Sequence, residues 1–137
     1  MPDGPARKLA DFEGQYELVR QIAHATAAPA SFAGTAEWSR DGDGLQYVES
    51  GVLTIEGHPP MASERRYFWA PDLRVYFDDG RFFHQVPATG GETTHWCDPD
   101  HYAATYHFDD WPRFRVVWRV KGPAKDYTMR SEYRPRG

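Results

Sequence analysis

Eight consecutive residues, HWCDPDHY (95–102), hold two histidines, the only cysteine and two aspartates. Imidazoles and a thiolate are good zinc ligands, and a paired cysteine and histidine can form a nucleophile and its base. On a strand, His95 and Cys97 share a face because side chains alternate with period two. His84 precedes them across the PATGG loop (87–91), so the next strand can bring it nearly opposite His95. Together they would make a three-ligand zinc site with an open fourth position. A lone His-x-Cys lacks the doubled spacing of strong zinc motifs, and no oxyanion hole or third orienting group accompanies a nucleophile reading. Asp98-Pro99-Asp100-His101 has the chemistry of a tight turn: proline presets one position and the aspartates bond back to nearby amides. The stretch is therefore read as a hairpin with no metal. Asp98 and His101 face solvent, while His95, Cys97 and Tyr102 contribute to an interior wall.

A second constellation lies upstream. In the run 45–56, Leu45, Tyr47, Glu49, Gly51, Leu53 and Ile55 form the larger, more apolar face, which places Glu49 inside. A buried carboxylate needs a partner or a proton. Arg65 shares a face with Tyr67 and Trp69 in the next run, and Glu49–Arg65 is the expected interior ion pair. Phe82, His84 and Val86 form another inward face. Tyr102, Tyr106, Trp118 and Tyr127 follow on the later strands. A structural core prefers Leu, Ile, Val and Phe; this concentration of tyrosine and histidine points to a polar cavity, since buried hydroxyls and imidazoles need partners. None of the six histidines falls on the last two expected strands, and there is no Cys-x-x-Cys-His attachment motif, so haem is not expected and no cofactor is assigned.

The elements that must position these groups are short alternating runs ended by turn residues. KLADF (8–12) reads as one helical turn. Alternating runs follow at 15–22, 31–39, 45–56, 63–70, 73–77, 81–86, 92–97, 101–108, 114–120 and 125–133, separated by joints such as RDGDG, GHPP, DDG and KGP. Ten antiparallel strands must bury an interior and hide their edges, and closure does both. The expected fold is all-β: a single up-and-down antiparallel barrel of about ten strands over residues 1–137, with residues 1–7 as a loose arm. A two-sheet sandwich is the alternative.

Bulk properties agree with one small domain. The chain has 137 residues, and 15% are aromatic, a share suited to large rings filling a β-rich interior. A formal net charge of −4 gives no basic footprint for nucleic acid. No apolar stretch is long enough to span a membrane, and the N-terminus lacks a secretory h-region, so no membrane partner is expected. One cysteine excludes an intrachain disulfide and fits a cytoplasmic location.

Two resemblances follow. Gly14-Gln15-Tyr16 is similar to the Gly-x-Trp opening of the lipocalin-like (calycin) barrels, which implies an arginine of the last strand, Arg130 or Arg134, packed over Tyr16. Tyr47-Val48-Glu49-Ser50-Gly51, Arg65-Arg66-Tyr67-Phe68-Trp69, Phe83-His84, HWCDPDHY and Gly122-Pro123-Ala124-Lys125-Asp126-Tyr127 resemble a bacterial family, domain-of-unknown-function family 6314. That resemblance implies a lipocalin-type barrel and no established activity.

The functional expectation is a small-molecule-binding barrel, monomer or homodimer, holding a largely apolar ligand with a polar or anionic group near Arg65. The expected lining is Tyr47, Glu49, Arg65, Tyr67, Trp69, His84, His95, Cys97, Tyr102, Tyr106, Trp118 and Tyr127. The alternative is a cofactor-free lyase, isomerase or hydrolase, with Glu49, His84 and His95 as candidate acid–base groups. A hairpin at Gly122–Lys125 leaves Lys125 and Asp126 as candidates for a gate at the barrel mouth.

Overall fold

The computed structural model describes residues 4–136. One helical turn, α1 (Leu9–Phe12), precedes ten strands. They are β1 (Gly14–His24), β2 (Ala30–Asp41), β3 (Gly44–Ile55), β4 (Met61–Trp69), β5 (Arg74–Phe77), β6 (Phe82–Gln85), β7 (Gly91–Cys97), β8 (Asp100–His107), β9 (Phe114–Lys121) and β10 (Asp126–Pro135). All belong to one antiparallel sheet in the order β6-β5-β4-β3-β2-β1-β10-β9-β8-β7. Each strand therefore pairs with its neighbours in sequence, except β6 with β7, and β1 closes on β10. The expected up-and-down barrel is present, closed except for a seam between β6 and β7.

That seam is bridged by side chains. The His95 ring donates a hydrogen bond to the backbone carbonyl of Phe83. Its ring also packs edge-on against Phe83 and Phe77, with centroids 5.3 and 6.0 Å apart.

The register defines two ends. At one, α1 plugs the barrel: Phe12 is fully buried among Trp38, Trp69, Phe108, Trp111 and Phe114, with ring centroids 5.0–5.9 Å from its own. Tyr16 donates its hydroxyl to the Phe12 carbonyl at 3.1 Å. Arg130 and Arg134 are both exposed, so the arginine lock expected over Tyr16 is absent. Trp38, Phe114 and Tyr133 surround that ring instead. The outer cation at this end is Arg7, whose guanidinium lies 4.7 Å from the Trp111 ring and whose N–H bonds Ala88. The inner part of the expected loose arm is thus tied down; its residues 1–3 lie outside the described residues.

Alternation holds along β1, where Tyr16, Leu18 and Arg20 are buried, and along β3, where Leu45, Tyr47 and Glu49 are buried. It breaks in β6. A register shift there leaves Phe83 without a partner between Tyr76↔Phe82 and Val75↔His84. The extra residue turns Phe83 inward beside His84 and leaves Phe82 half exposed; of the expected inward face, His84 and Val86 are buried and Phe82 is replaced by Phe83.

Candidate functional site

Above the aromatic plug the barrel encloses a cavity of about 100 Å³. Its floor lies toward the plug. There Tyr133, stacked on Phe114 at 4.6 Å, meets Tyr47, and Trp69, Tyr106 and His84 belong to the same lining. Its middle is walled by Tyr67, Phe83 and Trp118, with the last two stacked at 5.1 Å and 12°. Its mouth is lined by Arg65, Tyr102, Val120, Tyr127 and Met129, near the open-end hairpins.

Glu49 is buried at 3% exposure, as expected, but its partner is different. Arg20, from β1, reaches across β2 and makes a two-pronged bond: Nη1 to Oε2 at 2.7 Å and Nη2 to Oε1 at 3.0 Å. Arg20 also donates Nε–H to Ser131 Oγ at 2.7 Å. Arg65 is the direct cross-strand neighbour of Glu49, yet its side chain is exposed at the mouth. The expected Glu49–Arg65 pair is therefore replaced by Glu49–Arg20. The physical reason is reach: Arg65 can solvate its guanidinium at the rim, whereas Arg20, on the inner face of β1, has only the carboxylate and Ser131 to satisfy it. Burial pushes the Glu49 carboxyl up, but bonds from Arg20 and Tyr47, with Arg20 and Arg65 charges nearby, hold it below the ordinary range. Burial likewise opposes the Arg20 charge, and Glu49 more than restores it.

The hydroxyls extend this cluster. Tyr47 Oη lies 2.7 Å from Glu49 Oε1 and 2.9 Å from Tyr133 Oη. Burial raises the Tyr47 hydroxyl well above its usual value and that of Tyr133 to about 12, so both remain protonated at neutral pH. In the same cavity lining, His84 Nε2 and Tyr106 Oη are 2.7 Å apart. Burial, with His95 nearby, lowers His84 to about 3, so its ring is neutral. His84 Nδ1 has no hydrogen-bond partner although the ring is buried.

Ten of the twelve expected lining residues meet around this cavity: Tyr47, Glu49, Arg65, Tyr67, Trp69, His84, Tyr102, Tyr106, Trp118 and Tyr127. His95 and Cys97 do not. His95 is used at the β6–β7 seam, and Cys97 sits exposed where β7 leaves the barrel wall. His84, His95 and Cys97 are consequently not gathered. Among the described residues, no three His, Cys, Asp or Glu side chains are placed to hold a metal. HWCDPDHY is a hairpin between β7 and β8, with Asp98, His101 and Trp96 exposed. Its Asp100 carboxylate pairs with Lys125 Nζ at 3.1 Å, and Lys125 also donates to Tyr102 Oη at 3.0 Å. Lys125 thus ties two hairpins together at the mouth, while Asp126 pairs with Arg119 and Lys121 on the outside.

Arg20, Phe83 and Tyr133 line the cavity but were missing from the expected list. Arg20 carried a signal, as the one charge on the face Tyr16-Leu18-Arg20-Ile22.

Residues 12–135 match a family of unknown function (DUF6314). The chain belongs to this family. No curated protein matches it in sequence. Among solved structures, the S-type phycobiliprotein lyase CPES from Guillardia theta superposes with a TM-score of 0.65 at 7% identity, over 94% of this chain and 90% of that one. At that identity the likeness shows a shared barrel fold.

Proposed function

We propose that this protein is a small-molecule-binding barrel whose ligand is a single apolar ring carrying an anionic group at Arg65. The observation that carries this reading is the cavity: aromatic walls, a polar floor of tyrosine hydroxyls and an imidazole, and one guanidinium at the rim with no ion pair among the described residues. Size limits the ligand. An apolar cavity of about 150 Å³ takes up benzene, whereas drug-sized ligands occupy about 300–1,000 Å³. The space of about 100 Å³, smaller still but open at the mouth, leaves room for no more than one ring. Phe83, Trp118, Tyr67 and Trp69 supply faces and edges against which a ring packs. Arg20 is not the anion's partner, because Glu49 already occupies both prongs of its guanidinium.

The fold shared with a phycobiliprotein lyase supports a cavity-handling role. Were acid–base chemistry to occur here, His84 and Tyr106 would be its groups rather than Glu49, which is held as a carboxylate by Arg20. The free, exposed Cys97 thiol suits a reducing compartment, and we place the protein in the cytoplasm on that ground.

Calorimetric titration with benzoate and with benzyl alcohol tests the reading. Benzoate should bind several-fold more tightly, and Arg65→Ala should erase that preference while leaving the melting temperature unchanged, because Arg65 is exposed. Equal affinity of Arg65→Ala for benzoate would remove the assigned anchor. Failure of both probes to bind the wild type at millimolar concentration would remove the single-ring reading.

A further inference from the structure

We propose that the floor of the cavity is a hydrogen-bond acceptor site that reads a donor group on the ligand, a phenolic hydroxyl or aromatic amine at the end of the ring opposite the anion. The inference rests on the single-ring reading above and names the ligand class: aryl carboxylates bearing a hydroxyl or amino group.

The argument follows the hydrogens. Glu49, bonded by both prongs of Arg20, is a carboxylate and offers only lone pairs. Tyr47 Oη, 2.7 Å from Glu49 Oε1, must therefore donate its one hydrogen to that oxygen. The 2.9 Å contact between Tyr47 and Tyr133 then has a fixed direction, because Tyr47 has no hydrogen left. Tyr133 donates to Tyr47. Tyr133 Oη is left with lone pairs alone, so what it presents at the floor of the cavity is an acceptor. Hydroxyls usually rotate to suit either kind of partner; here the buried charge pair removes that freedom two bonds away.

A second polar side chain lines the same cavity. His84 is 3% exposed and its Nδ1 has no protein partner. Buried unpaired nitrogens are uncommon and call for a partner. His84 Nε2 is committed to Tyr106 Oη, so the imidazole has one polar atom to spare. An anion is ill suited to this end: Tyr133 meets it with lone pairs, and the Glu49 carboxylate lies one hydroxyl further on. The chemistry of the two ends thus differs, with the Tyr133 acceptor at the floor and the Arg65 cation at the mouth, and a ligand is oriented by that polarity.

The test uses purified wild-type protein and isothermal titration at pH 7 with three carboxylates of similar size: 4-hydroxybenzoate, 4-aminobenzoate and 4-fluorobenzoate. Fluorine is close to hydroxyl in size and carries no hydrogen. The two donor ligands should bind about ten-fold more tightly than the fluoro compound, the usual scale for one buried hydrogen bond. Tyr133→Phe should bring all three to one affinity. Tyr47→Phe gives a second route: it frees the Tyr133 hydrogen, and the donor preference should shrink without loss of the ring site. Circular dichroism of each variant checks that it is folded. Equal affinities of all three ligands for wild type would overturn the acceptor floor while leaving the single-ring cavity standing. A donor preference that survives in both folded variants would overturn the assignment to Tyr133. Binding by none of the three would overturn this inference and the single-ring reading together.

Discussion

Arg20 and Glu49 form the one closely bonded ion pair inside the barrel among the described residues, with side chains 8% and 4% exposed. Such a pair adds little net stability when formed, because both charges were desolvated to make it, but removing one partner strands the other. Arg20→Ala leaves the Glu49 carboxylate buried with only Tyr47 as a donor, and the expected loss is about 3–5 kcal/mol in denaturant unfolding. The double replacement Arg20→Met with Glu49→Met should recover most of that loss, since it removes both charges at similar volume. A single variant as stable as wild type would mean that water or Arg65 reaches Glu49 more easily than the geometry shows. His84 makes a different prediction, about pH. Its folded form holds off the proton to about pH 3, whereas an unfolded histidine takes it near 6.5. The unfolded state therefore binds more protons between those values, and stability falls as pH drops below about 6.5, by up to about 1.4 kcal/mol per unit. Glu49 acts in the same direction but only below its ordinary value near 4.5, because its folded carboxyl is shifted downward. Urea midpoints at pH 7, 6 and 5 thus isolate the histidine limb. His84→Gln should flatten most of it, leaving a smaller slope from His95, whose ring is also shifted down by burial. An unchanged slope in that variant would show that His84 does not hold off its proton.

The strands carry predictions of their own. Gly34 on β2 and Gly51 on β3 are direct partners, and a Cβ on Gly34 would overlap the Ser50 carbonyl and Gly51 Cα, both backbone. Backbone cannot yield as a side-chain tip can, so Gly34→Ala should cost about 1–3 kcal/mol or more, read by denaturant unfolding. A neutral result would mean that the two strands can separate at no cost. All ten strands were legible before the structure, because Asp-Gly, Gly-Pro and Pro-Pro joints cut the chain into alternating runs, and alternation placed Tyr47, Glu49, Trp118 and Tyr127 correctly. What failed has local causes. The extra residue at Phe83 reverses parity for part of β6, and nothing in RFFHQV distinguishes a bulge from a regular strand. His95 and Cys97 do share a face, but β7 borders the seam and runs out past the rim. The same alternation therefore aims one ring at the Phe83 carbonyl and one thiol at solvent. Arg20 was missed as a partner because it sits two strands from Glu49, a separation that cross-strand pairing rules do not reach.

At the scale of the whole molecule, the barrel is asymmetric: one end is sealed by apolar rings and the other is left open and polar. The seal depends on a four-residue helix that is far too short to be stable alone, so packing must hold it. Phe12 is the centre of that packing, touching five aromatic rings with no exposure. The Lys8 N–H bonded to the Asp11 carboxylate at 2.8 Å and the Tyr16 hydroxyl on the Phe12 carbonyl set its angle. Phe12→Ala removes the ring but keeps the turn, and the void lies beside Trp38 and Trp69, packed on each other, and Trp111, stacked on Phe114, none of which can fill it without giving up those contacts. The expected cost is about 3–5 kcal/mol. A distinct consequence follows for the cavity, because Trp38 and Trp69 separate the plug from the floor where Tyr47 and Tyr133 meet. With Phe12 gone, those indoles gain room, and the closed end should admit an apolar dye such as ANS that the wild type excludes. If Phe12→Ala loses stability yet still excludes ANS and binds benzoate as before, the plug stabilises the barrel without shaping the site. If dye uptake rises and benzoate affinity falls together, the sealed end is what gives the cavity its floor.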